Sequence, residues 1–173
     1  VDIPLLQCEK TEIWARPVSP YASNGVGMLF LPEVDDEVVL QFINEDPCHP
    51  VIIGSLYSRK RKTPVSLDPK NNLKTIVTKN QLKITLDDDK KIITIGTPGE
   101  NTLILDDDKK QILLSDANKN KVCMDKNGIM VESGKDLIFK ARGNVKTEGM
   151  GIESKSKQDT KINGLNIEVS AQM

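Results

Sequence analysis

Two acidic triplets are the most conspicuous candidate metal ligands in the chain. They occupy residues 87–89 and 106–108, and each is followed directly by two lysines. Adjacent carboxylates could bind Ca²⁺, but a helix–loop–helix calcium loop needs glycine at its sixth position and glutamate at its twelfth. Counted from Asp87, those positions are Ile92 and Pro98. We therefore interpret both triplets as solvated turns and predict no metal site.

The single histidine and the three cysteines are the other candidate ligands or nucleophiles. His49 follows Cys48 in a proline-flanked turn, where neighbouring side chains point apart, so a Cys–His catalytic pair or a metal site is not expected. Cys8, Cys48 and Cys123 are odd in number and widely spaced, which argues against a disulfide framework and fits a reducing compartment. We expect buried, inert thiols, since no basic partner adjoins them.

Catalysis by paired carboxylates is a further possibility. A glycosidase needs two acids facing each other across a cleft. The acidic residues here lie in predicted strand-connecting turns, and no inserted globular domain is visible. We predict that the chain is not an enzyme, has no catalytic residues and binds no cofactor.

Bulk properties exclude several other classes. A net charge of -1 gives no electrostatic basis for binding nucleic acid or an anionic membrane. No apolar run approaches the roughly 20 residues of a membrane-spanning helix. Residues 1–5 lack the charged and apolar regions of a signal peptide, so no secretion signal is expected.

The chain divides into two halves of different composition. Five of its six aromatic residues lie before residue 58, and no proline follows Pro98. A polar, basic stretch that includes Pro64 and Pro69 separates the halves and is typical of a linker. We predict a compact domain at 1–58, a linker at 59–75 and a long regular β element at 76–173.

The first half has the pattern of a small antiparallel barrel. Apolar and β-branched runs at 28–31, 37–43 and 51–57 predict short strands. The turn at 24–27 contains Gly25 and Gly27, where a positive φ is cheap. We expect the aromatic rings to pack in the core of this barrel.

The second half contains repeats. Leu86, Leu105 and Met124 are each 19 residues apart, and each ends a short alternating strand that leads into a charged turn. A second strand follows at 92–95, 111–114 and 129–131. Each repeat is thus a strand pair, which is too small to be stable alone. After residue 128 the apolar spacing shortens to 7 or 8 residues, which is typical of a β-solenoid.

The period of two places one apolar stripe along these strands, and coils this short cannot enclose it within one chain. Three chains wound together would bury the stripe on a common axis, although the periodicity alone also permits a two-sheet stack or a fibre. The predicted trimer core comprises Ile84, Leu86, Ile93, Ile95, Leu103, Leu105, Ile112, Leu114, Val122, Met124, Ile129, Val131, Leu137, Phe139, Ile167 and Val169.

The first half also resembles a known family. The strings IWARP at 13–17, YASNGVG at 21–27, FLPEVDDEV at 30–38 and DPCHPVIIGSLY at 46–57 occur in order. They resemble the baseplate-hub segment of VgrG proteins, the central spikes of type VI secretion systems and related phage-tail-like contractile injection systems. The resemblance implies an all-β fold, with a small barrel of the oligonucleotide/oligosaccharide-binding (OB) type followed by an intertwined triple-stranded β-helix.

The resemblance also implies a function. Such a spike is a homotrimer at the tip of an inner tube, and sheath contraction drives it through a target membrane. The implied partners are a PAAR-like tip protein, inner-tube and baseplate proteins, and effectors. Assembly in the bacterial cytoplasm or a phage particle would precede injection into a target cell. The family's large hub domains do not precede this segment, so the chain is expected to be a fragment.

Two rivals remain. One is an OB-type nucleic-acid-binding module with an oligomerising β tail, in which Trp14, Tyr21 and Tyr57 would stack bases. The first 64 residues are more acidic than basic, which favours core packing of those rings and no nucleic acid. The other rival is a trimeric surface adhesin, which would need a secretion signal and an anchor.

Overall fold

The computed structural model describes residues 1–3 and 12–170 and is all β apart from one 3₁₀ turn at Ile43–Glu45. The chain separates into two compact units, Val1–Glu132 and Ser133–Met173. Among the described residues, no helix has the length and apolar character needed to cross a membrane. Cys8 lies outside the described residues, so its predicted burial has no structural counterpart.

The start of the first unit is a three-stranded sheet with an adjoining hairpin. Strands β1 (Arg16–Pro17) and β4 (Val38–Phe42) flank β5 (Pro50–Ser55), and β2 (Ala22–Ser23) pairs with β3 (Val26–Gly27). The strands predicted at 37–43 and 51–57 are confirmed with slightly different limits.

Two details of this region differ from the sequence prediction. The run at 28–31 forms no strand, because the chain has already formed the β2–β3 hairpin just before it. β1 pairs with β5 in parallel rather than antiparallel fashion. A parallel pair joins segments far apart in sequence, and no turn signal marks it.

The hairpin depends on two glycines, as the sequence predicted. Gly25 has φ +73° and Gly27 has φ +150°, conformations that other residues rarely adopt. A Cβ added at Gly27 would lie 2.6 Å from the carbonyl oxygen of Tyr21 and 3.2 Å from Cα of Ala22. The two strands therefore approach each other through the missing side chain.

Gly27→Ala should destabilise the chain by about 1–3 kcal/mol, because it forces a strained φ and a backbone clash. The matched control is Gly54→Ala, since nothing lies within 4 Å of a Cβ added there. Thermal unfolding followed by circular dichroism compares the two. Equal melting temperatures for both variants would contradict the geometry of the hairpin.

A seven-stranded antiparallel meander follows, in which every strand pairs only with its neighbours in sequence. Its five-residue strands have the alternating apolar pattern that the repeats predicted. They are β6 (Leu73–Val77), β7 (Lys83–Asp87), β8 (Ile92–Gly96), β9 (Thr102–Asp106), β10 (Gln111–Ser115), β11 (Lys121–Asp125) and β12 (Gly128–Glu132). The three predicted strand pairs are confirmed, and β6 begins inside the segment predicted as a linker.

The turns at one side of this sheet repeat the 19-residue period exactly in their backbone angles. Gln81, Glu100 and Lys119 each have a positive φ, of 64°, 63° and 67°. In the first of these turns the amide of Gln81 donates to the carbonyl of Thr78 over 2.9 Å, and the same bond recurs in the other two. A type I turn followed by a left-handed residue is a favoured hairpin connection. The repeat in sequence is therefore a repeat in structure.

The second unit lacks regular secondary structure in the part that the structure describes. No strand occurs from residue 133 to residue 170, and all of these residues are exposed. The β-solenoid predicted here is not confirmed and stays a prediction, as does the division at 1–58, 59–75 and 76–173.

Candidate trimerisation surface

Twelve of the sixteen predicted core residues lie on one face of the seven-stranded sheet, which we call the aliphatic face. Antiparallel pairing aligns them in two rows that cross the strands. The first row is Ile84, Ile95, Leu103, Leu114, Val122 and Val131, each paired with the next. The second row is Leu86, Ile93, Leu105, Ile112, Met124 and Ile129.

Sequence reasoning missed the first strand of this face. Ile76 of β6 pairs with Ile84 and extends the first row by one strand. Lys74 pairs with Leu86 and so begins the second row with a charge. The alternation of Thr75, Ile76 and Val77 was the available signal, but it lay beside the polar linker.

The aliphatic face is largely uncovered in the single chain. Ten of its twelve core residues are between 38% and 71% exposed, and Leu103 and Val122 are half-buried. A sheet face of this size without a covering layer is unstable in water, because each buried aliphatic side chain contributes about 1.5–3 kcal/mol. The face must therefore be covered by something other than its own sheet.

The opposite face differs in chemistry and in burial. Its central row runs Thr75, Thr85, Thr94, Ile104, Leu113, Cys123 and Met130. Cys123 is only 5% exposed and lies 3.2 Å from Nε2 of Gln111, whereas Met130 is exposed. The predicted burial of Cys123 is confirmed. Threonine, whose hydroxyl tolerates water, occupies the part of this face formed by β6–β8.

The remaining four predicted core residues are not brought to the sheet. Leu137, Phe139, Ile167 and Val169 belong to the second unit, lie outside any strand and are exposed. Their role in a trimer core stays a prediction.

The two acidic triplets form hairpin turns at the edge of the sheet. Asp87 accepts a hydrogen bond from the amide of Lys90 at 3.0 Å, and Asp106 accepts one from the amide of Lys109 at 2.9 Å. The amide of Asp107 also donates to the carbonyl of Lys91 over 3.2 Å, which links neighbouring turns. Among the described residues, no three acidic, histidine or cysteine side chains gather as metal ligands. The triplets are turn-forming residues.

Lysines pair with these carboxylates. Lys74 bonds to Asp88 of the next turn, and Nζ of Lys109 lies 3.2 Å from the covered carboxylate of Asp106. The backbone amide of Lys109 holds the pKa of Asp106 below its usual value against the opposing effect of desolvation. The charged form of Asp106 is therefore the one that stabilises the turn.

Asp116 organises the turn between β10 and β11 in the same way. Its Oδ1 accepts the amides of Asn120 at 2.9 Å and Asn118 at 2.8 Å, and its Oδ2 accepts both side-chain amides. These bonds, led by the amide of Asn120, lower the pKa of Asp116.

We expect acid to weaken the sheet through these turns. Because the folded pKa values lie below the usual value of about 3.9, the stabilisation is complete above that pH and is lost as the pH falls through the lowered values. Melting temperature measured between about pH 6 and pH 2 should fall below pH 4. Asp116→Asn should show a smaller fall, and an identical pH profile would contradict the role of this carboxylate.

The turn that contains His49 is held by an acid rather than arranged around a thiol. Nδ1 of His49 lies 2.9 Å from Asp46, whose other oxygen accepts the amide of Cys48 at 2.8 Å. The amide of Cys48, followed by the His49 contact, lowers the pKa of Asp46. The predicted structural turn is confirmed. Cys48 is exposed, so the expectation of a buried thiol is wrong there.

The aromatic rings of the first half do not form the expected core. Trp14 is 97% exposed, and Tyr21, Phe30 and Tyr57 are also exposed. Composition identified the aromatic residues but not their surroundings. The prediction of core packing is wrong for these four rings in the single chain.

Two sequence families match this architecture. Residues 1–57 match the type VI secretion system/phage-baseplate injector OB domain, and residues 91–171 match the phage baseplate V C-terminal trimerisation domain. Both describe one kind of assembly, and the second overlaps the uncovered aliphatic face. The chain belongs to the VgrG-type spike family.

Relatives of this spike chain carry matching names. It is 33% identical over 69 residues to the type VI secretion system spike protein VgrG3 of Vibrio cholerae, covering 40% of the chain and 7% of that protein. It is 32% identical over 68 residues to the spike protein VgrG4b of Pseudomonas aeruginosa, covering 39% of the chain and 8% of that protein. The chain thus matches less than a tenth of the length of these relatives.

Proposed function

We propose that the chain is a structural, non-enzymatic part of a homotrimeric spike. The uncovered aliphatic face, continuous across seven strands, is the observation that carries this proposal. In the trimer, three copies place their aliphatic faces around a threefold axis, so that each sheet forms one wall of a prism. The match to a trimerisation domain supports this arrangement.

The sheet suits a part that carries load. Its six strand spacings give each wall a length of about 29 Å along the axis. Every strand interior is hydrogen-bonded to a neighbour, and the four cross-linked turns at one edge leave no flexible loop between strands. Burial of two aliphatic rows from each of three copies then stiffens the prism.

In this proposal the spike punctures a target membrane when the apparatus contracts. The part of the chain matched to the baseplate OB domain faces the inner tube and baseplate, and the other end carries a PAAR-like tip protein or effectors. Assembly takes place in the bacterial cytoplasm or in a phage particle, followed by injection into the target cell. The names of the relatives support this role.

A chimaera tests the function directly. Residues 1–173 would replace the equivalent segment of a full-length VgrG spike in a bacterium that lacks its own. Sheath-dependent release of that spike into the medium is the expected result. Normal sheath assembly without release, from a chimaera that is expressed and trimeric, would contradict the proposed function.

The nucleic-acid alternative has one observation in its favour. Exposed Tyr57 lies in a shallow pocket together with Arg59 and Lys62, a combination that could stack a base near phosphate. Titration of single-stranded DNA at low and high salt separates the readings. Tight, salt-dependent binding that Tyr57→Ala abolishes would favour this alternative over the spike.

A further inference from the structure

A run of apolar side chains in the OB part stands clear of its own domain. Leu29, Phe30, Leu31 and Val34 are between 58% and 91% exposed. Residues 29–31 are consecutive, so no single direction can cover all three side chains from within the chain. Exposed apolar runs of this kind mark interaction surfaces. We call residues 28–34 the apolar segment.

The apolar segment is held at both ends. At its start, the amide of Met28 donates to the carbonyl of Tyr21 over 2.9 Å, and the hydroxyl of Ser19 donates to the carbonyl of Met28 over 2.7 Å. At its end, the amide of Glu33 donates to Asp36 over 2.8 Å. A segment fixed in this way loses little conformational entropy when it binds.

Its position relates it to the aliphatic face. Oε2 of Glu33 lies 3.3 Å from Nζ of Lys79 in the turn that joins β6 to β7. That turn lies between Ile76 and Ile84, the first pair of the first aliphatic row, and its own Leu82 is exposed. An exposed apolar surface therefore adjoins the end of the aliphatic face.

We propose that the apolar segment of one copy docks on a second copy of this chain, beside the first strands of the aliphatic face. This inference rests on the proposed trimer. A threefold axis that brings the aliphatic faces together also brings residues near β6 and β7 of one copy close to the next copy. The side chains at 28–31 carry no charge, which suits an apolar partner and not a polyanion.

Variants of the full chain test the docking. Phe30→Asp places a charge on the apolar segment, whereas Val18→Asp does the same at an exposed site outside it. Trimer dissociation is measured by sedimentation in a dilution series at a fixed guanidinium concentration. We expect the midpoint concentration to rise at least about tenfold for Phe30→Asp and to stay unchanged for Val18→Asp.

Hydroxyl-radical labelling of the unmodified chain supplies an independent readout. Residues 29–31 should be protected in the trimer and labelled after dissociation, while Trp14 reacts in both states. A stable trimer in which Phe30 is fully labelled, or in which both variants behave alike, would overturn the docking and leave the spike proposal intact. A monomeric unmodified chain would overturn both.

Discussion

Ile93→Asp will prevent trimer formation. Ile93 lies in the second aliphatic row, between Leu86 and Leu105, and is exposed in the single chain. In the trimer the change places three carboxylates against an apolar axis, where each loses the hydration that stabilises its charge. Together with the lost burial of about 1.5–3 kcal/mol per side chain, this should weaken association by more than a thousandfold.

The neighbouring residue provides the matched control. Thr94 follows Ile93 in β8 but lies on the opposite face, where it pairs with Thr85. Thr94→Asp adds the same charge to the same strand and should leave a trimer in size-exclusion chromatography with light scattering. If Thr94→Asp dissociates the trimer and Ile93→Asp does not, the axis-facing side has been assigned to the wrong face.

A chain that lacks residues 92–110 will still form a trimer, with a lower melting temperature. The deletion removes β8 and β9 and joins Lys91 to Gln111. Because the excised segment is one 19-residue repeat, Ile112 takes the place of Ile93 and Leu114 that of Ile95. The aliphatic rows stay continuous but lose four side chains per copy, so stability falls while assembly persists.

The deletion of Ile104 alone is the contrasting variant. Loss of one residue inside β9 moves either Leu103 or Leu105 to the wrong face, since side chains alternate with a period of two. Thermal unfolding should show that this one-residue deletion lowers the melting temperature more than the nineteen-residue deletion does. The opposite order would contradict a structure built from in-phase repeats.

The aliphatic face could be predicted from sequence because its signal is local. A strand alternates its side chains, and a fixed repeat aligns successive strands, so Leu86, Leu105 and Met124 had to share a face. The same reasoning identified the second strands of each repeat. It did not extend to Ile76, because the charged Lys74 beside the linker masked the start of the pattern.

The OB part was harder to predict because its contacts are not local. The parallel pairing of β1 with β5 joins Arg16 to Val51. Nothing in either short run specifies that partner. The exposure of Trp14 and Phe30 likewise depends on what surrounds the rings, which composition does not contain. Hydrophobicity indicates that a side chain needs cover, but whether its own chain or another copy supplies it is a property of the tertiary structure.

The mass of the purified chain in solution tests the central claim most directly. Sedimentation equilibrium at micromolar concentration should give three times the chain mass of 19.2 kDa, with no monomer at the lowest loading. A folded monomer, with the aliphatic face stable in water, would contradict the account.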